Sequence, residues 1–93
     1  MFETNLKPFL EGTCTIQLHS DTSHAPIFGC RLKIEDEKLL ISPQVLFDEL
    51  EDELLLINLE ILESNDLESI TLHHKNHPVL RSIFILKEKT TSL

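Results

Sequence analysis

Two cysteines and five histidines are the side chains here whose types invite metal or redox chemistry, and their spacing decides what they could do. Cys14, His19, His24 and Cys30 read C-x4-H-x4-H-x5-C, two sulfurs and two nitrogens, a ligand set that zinc accepts. The spacing is not the short paired kind that seats two ligands on one knuckle. On a regular strand Cys14 and His19, five residues apart, also point to opposite faces. Neither a metal nor any other cofactor is expected. His73, His74 and His77 form a second cluster, but neighbours on a strand point apart, so these read as exposed turn histidines. A hairpin centred near residue 22 would set Cys14 opposite Cys30 with both facing inward. Two small, reduced core residues are the expectation, with a disulfide as the alternative.

Acid–base or nucleophilic catalysis needs a nucleophile beside a base, or two carboxylates in unlike environments. The run Asp48-Glu49-Leu50-Glu51-Asp52-Glu53 supplies carboxylates, but solvated ones lack the burial that separates their pKa values. With Gly12 and Gly29 as its only glycines, the chain cannot build a glycine-rich phosphate loop. It has no Trp or Tyr to stack on bases or sugars. No enzyme activity is expected.

The charge points to a partner. The net charge is −8, and residues 35–68 hold twelve acids against Lys38 alone. Phosphate binding wants a basic stripe, so direct contact with nucleic acid is not expected. The acidic run, interleaved with Leu46, Phe47 and Leu50, suits an interface with an apolar centre and a charged rim. Leu46, Phe47, Asp48, Glu49, Leu50, Glu51, Asp52 and Glu53 are therefore the candidate residues for docking a protein with a basic surface. A plain solvated face is the bland alternative.

These residues must be held by a small domain. Ninety-three residues, 41% of them hydrophobic, fit a single globular unit, read as 1–93. No apolar run approaches the ~18 residues of a membrane span, and the N-terminus lacks a signal-peptide pattern. A cytoplasmic location without membrane attachment is expected. Asn5–Leu10 could form a short opening helix that Gly12 ends. Cys14, Ile16 and Leu18 alternate with polar residues, as do Phe28, Cys30, Leu32 and Ile34, which are read as inward-facing. Leu39–Ile41 begins a third strand after a polar turn at Glu35–Lys38. Ser42-Pro43 looks like a helix start, and Leu46, Leu50 and Leu54 share one helix face, giving a short helix at 43–53. Pairing of 45–50 with 53–61 as a hairpin competes with it. A long strand to about residue 63, a turn at 64–66, a strand through His74 and a last strand over 81–89 complete the reading. The fold class is α+β, mainly β: an antiparallel sheet of five to six strands.

Residues 41–60, ISPQVLFDELEDELLLINLE, resemble the opening strand pair of PqqD-like domains, which bind leader peptides of ribosomally made natural products. The likeness covers about a fifth of the chain and would imply peptide binding. The following ILESNDLESITLHH departs from that family, which continues into a helical half. The function expected from the residues themselves is a small acidic, non-enzymatic protein-binding module: an adaptor, inhibitor, immunity protein or chaperone. A nucleic-acid mimic that blocks a DNA-binding protein is the other reading, and it needs the acids on one elongated face.

Overall fold

In the computed structural model, which describes residues 2–20, 25–43, 54–65, 68–76 and 80–88, six strands form one antiparallel sheet. A five-residue helix α1 (Phe2–Leu6) runs into a 3-10 turn at Lys7–Leu10. This N-terminal piece is too short to persist alone and is held by burial of Leu6 and Phe9 in the core. Gly12 follows at φ +76, a left-handed conformation that suits glycine and turns the chain into the sheet.

The strands are β1 (Cys14–His19), β2 (Ile27–Glu35), β3 (Lys38–Ser42), β4 (Leu59–Asn65), β5 (Ser69–His74) and β6 (Ser82–Lys87). Their order across the sheet is β3-β2-β1-β6-β5-β4, so β1 at the centre pairs with both β2 and β6. The alternation that marks β1, β2 and β3 in the sequence becomes a buried inner face of Cys14, Ile16, Cys30, Leu32, Leu39 and Ile41. Ile70, Leu72, Ile83 and Ile85 from β5 and β6 complete the same core. β2 and β3 are joined by the two-residue turn Asp36-Glu37, with φ +53 and +61 and Glu35 opposite Lys38. Positive φ at both central residues is the primed geometry whose twist matches a hairpin.

Two features differ from the reading of the sequence. Phe28 points out, not in, and is 72% exposed. Cys14 pairs with Cys30 but Ile16 pairs with Ile27, so Phe28 and Gly29 together stand opposite Thr15. This β-bulge, with Gly29 at φ +70, resets the alternation and turns Ile27 toward the core in place of Phe28. The long strand expected from residue 54 is also broken. Leu56–Asn58 form a 3-10 turn, and β4 begins only at Leu59.

The broken part still pairs. Leu55 forms a bridge with Lys38, Leu39 N–H donates to the Leu54 carbonyl and Leu56 N–H donates to the Glu37 carbonyl. The segment that leads into one edge strand thus covers the start of the other, and both ends of the sheet share the same core. Ser42 closes β3 and Pro43 lies in a bend after it. The helix read over 43–53, and the hairpin that competes with it, otherwise lie outside the described residues.

Candidate functional site

The exposed apolar residues mark where the surface departs from an ordinary solvated one. Four large apolar side chains are exposed among the described residues: Phe28, Ile57, Leu62 and Leu86. Phe28 and Leu86 flank the strand that carries Thr15, on the outer face of the sheet. Ile57, 79% exposed, and Leu62, 58% exposed, lie on the 3-10 turn and on β4.

β4 is an edge strand that pairs only with β5, and no other described strand hydrogen-bonds to it. Its register jumps between Ile61 and Glu63: Ile61 pairs with Leu72 and Glu63 with Thr71, which leaves Leu62 as an extra, unpaired residue. Alternation along the strand already puts Leu62 on the face opposite buried Leu59, and the bulge leaves it without a cross-strand partner in the ladder. Glu60 and Glu63 are exposed beside it. Among the described residues only β5 pairs with this strand, and the edge carries two apolar side chains and two carboxylates in one short stretch.

The acids are gathered around the same end of the fold. Glu35, Asp36 and Glu37 occupy the exposed tip of the β2–β3 hairpin, where Lys33 Nζ meets Glu35 Oε2 at 2.6 Å. Leu54, the residue directly after the acidic run, is buried and bonded to Leu39 beside that tip. The candidate docking residues Leu46, Phe47, Asp48, Glu49, Leu50, Glu51, Asp52 and Glu53 themselves lie outside the described residues. What the structure adds are Ile57, Glu60, Leu62 and Glu63, which sequence reasoning missed. Their near-continuous apolar run hid both the 3-10 turn and the bulge.

A second polar cluster sits on the central strands. One oxygen of Glu88, Oε2, accepts hydrogen bonds from the Thr15 hydroxyl and from the Gly29 N–H, both at 2.8 Å. Hydrogen bonds from the Thr13 hydroxyl, the Gly29 N–H and the Thr15 hydroxyl hold its carboxyl below the ordinary value of 4.5. The carboxylate thereby fills the gap that the bulge opens in the β1–β2 ladder, tying β6 to β2 across β1. It is a brace between strands.

The cysteines and histidines are placed as follows. Cys14 and Cys30 are direct cross-strand partners, both buried and both free thiols. Desolvation, with the negative charge of Glu88 nearby, pushes the Cys14 thiol up to about 11, and the same two causes raise Cys30. Neutral thiols of this kind are weak nucleophiles at neutral pH. His19 is exposed at the far end of β1 from Cys14, and His24 lies outside the described residues.

His73 Nδ1–H donates to the Arg81 carbonyl, which can only accept. His74 is buried, which corrects the expectation of exposed turn histidines. It ends β5 on the inner face, and its Nδ1 accepts the Asn76 N–H, so a strand end and not a turn sets its surroundings. No group of three His, Cys, Asp or Glu suited to a metal ion occurs among the described residues. Among them, too, no helix is long and apolar enough to cross a membrane. No family model matches this chain, and neither a curated protein nor a solved structure does.

Proposed function

We propose that this protein is a small, non-enzymatic binding module that captures an extended, basic segment of a partner protein along β4. The observation that carries this reading is the coincidence, on an edge that no further described strand pairs, of exposed Ile57 and Leu62 with exposed Glu60 and Glu63. Strand addition uses such an edge: main-chain bonds supply affinity, and alternate side chains supply selectivity. The carboxylates favour a partner with Lys or Arg beside apolar residues, and they steer its approach.

A second copy of this chain is a poor occupant. Antiparallel self-pairing of β4 would bring Glu60 and Glu63 of one copy against those of the other, and like charges placed opposite are destabilising. Residues 35–68 hold twelve acids against Lys38 alone, a negative field that favours a basic partner. Two free, buried thiols suit the reducing cytoplasm. Their raised pKa values and the bracing role of Glu88 support a binding protein over an enzyme.

The test uses a short synthetic peptide alternating lysine and valine, titrated into isotope-labelled protein. Saturable shifts are expected in the amide signals of Leu59–Asn65. Replacing Glu60 and Glu63 by Gln should weaken binding about tenfold and flatten its salt dependence, since exposed charges are screened over ~8 Å at physiological ionic strength. A glutamate–valine peptide should not bind. Replacing Asp48, Glu49, Asp52 and Glu53 by their amides should slow association without lowering stability. Equal binding of the two peptides, or shifts confined to other strands, would overturn the reading.

A further inference from the structure

We propose that Cys14 and Cys30 are the two halves of a reversible intramolecular disulfide that hydrogen peroxide closes in the folded protein. The case rests on register. Cys14 and Cys30 are Cα partners across β1 and β2, immediately before the bulge. Residues directly opposite in an antiparallel pair have Cα atoms ~4.5–5.5 Å apart, inside the range a disulfide spans. Both side chains are fully buried, so both lie on the inner face and nothing in the strand geometry separates them.

Neither sulfur is committed to a partner it cannot leave. The Cys14 Sγ–H donates to the Phe9 carbonyl at 3.4 Å, and the Cys30 Sγ–H donates to the Ile27 carbonyl at 3.4 Å. Thiols are weak donors, and these bonds cost little to exchange. Access runs through the N-terminal piece, because the 3-10 turn at Lys7–Leu10 carries the carbonyl bonded to Cys14. Reaching the thiols requires this piece to open and unbury Leu6 and Phe9, a local opening that costs less than global unfolding.

The chemistry balances without any cofactor. Once local opening returns a thiol to water and it loses its proton, the thiolate attacks an oxygen of hydrogen peroxide. This breaks the O–O bond to give a sulfenic acid and hydroxide, which takes up the released proton as water. The second thiolate then attacks that sulfur; the S–S bond forms and the S–O bond breaks, releasing the oxygen as a second water. Two thiols are oxidised by two electrons and one peroxide is reduced to two waters. The product has lost the Cys14 donor to Phe9, so the N-terminal turn is untied while β1 and β2 become covalently joined. Oxidation would thus exchange a polar tether for a cross-link at the centre of the sheet.

The experiment treats the full-length protein with hydrogen peroxide under native conditions and reads its intact mass. The expected product is a monomer lighter by about 2 Da, with both cysteines blocked to iodoacetamide in denaturant and both restored by dithiothreitol. Cys14→Ala and Cys30→Ala should each abolish the mass loss. Circular dichroism taken during the reaction must show a folded protein throughout. Disulfide formation in denaturant but not in the folded state would overturn the proposal. So would a sulfinic acid, or a dimer linked between chains, as the main product.

Discussion

β1 gives Cys14 and Ile16 to the interior with no exposed surface, whereas β4 buries Leu59 and leaves Leu62 mostly in water. Both strands contain β-branched and aliphatic residues, so composition does not separate them. Position in the sheet does. β1 has a neighbour on each side, pairing with β6 along its whole length and with β2 at Cys14 and Ile16. β4 has β5 alone among the described strands, and alternation puts Leu62 on the face away from the core. Each strand lies beside a bulge, but with opposite outcomes. In the centre Glu88 reaches across β1 and fills the gap left by the bulge on β2. At the edge the bulge leaves Leu62 outside the ladder and 58% exposed.

The sharpest way to break this contrast is to shave one residue from each side. Ile16→Ala should cost about 2–5 kcal/mol in denaturant unfolding, because a fully buried isoleucine leaves a cavity among packed neighbours. Leu62→Ala should cost about 0.5 kcal/mol or less while weakening the lysine–valine peptide. Comparable losses of stability would mean that β4 is core and not a docking edge.

Which parts of this contrast are legible in the sequence depends on how local the signal is. The hairpins β1–β2 and β2–β3 can be read because Ile16 and Leu32 alternate with polar residues and the apolar Leu39–Ile41 follows a polar turn. The facing of Cys14 and Cys30 follows from the same count. Phe28 is misread because one extra residue at Gly29 changes the alternation, and nothing in the neighbouring residues announces it. The start of β4 is hidden because Leu54–Leu62 is apolar at nearly every position, and a uniform run carries no period. Glu88 binds Thr15 from 73 residues away and Gly29 from 59, a range no local pattern reaches.

The Glu88 brace offers a second, smaller test, confined to the centre. A carboxyl held below its ordinary value of 4.5 stabilises the fold at neutral pH. That contribution is present above the unfolded-state value and is lost as pH falls through the lowered folded-state value. Thermal melts from neutral pH down through the carboxylate range should therefore show a loss of stability that Glu88→Gln reduces. An identical acid profile in the variant would remove Glu88 from the centre's support.

The smallest expected effect lies at the β2–β3 tip. Asp36 and Glu37 both hold positive φ, which favours glycine and tolerates asparagine. Asp36→Asn combined with Glu37→Gly should raise stability by about 0.5–1 kcal/mol in the same denaturant assay. A loss instead would show that the acidic side chains, and not the main-chain geometry, hold the tip and the Leu56 bond to it.

The pairing of β1 with β6 also sets when the protein can fold. Cys14 lies against Lys87 and His19 against Ser82, so the middle of the sheet joins segments far apart in the order of synthesis. On the ribosome the β2–β3 hairpin can close as soon as it emerges, but β1 waits with one side open until β6 arrives. A nascent chain therefore leaves Ile16 without its partner Ile85 until β6 has emerged, and refolding from denaturant should fall in the slower, millisecond-to-second regime of proteins dominated by distant contacts.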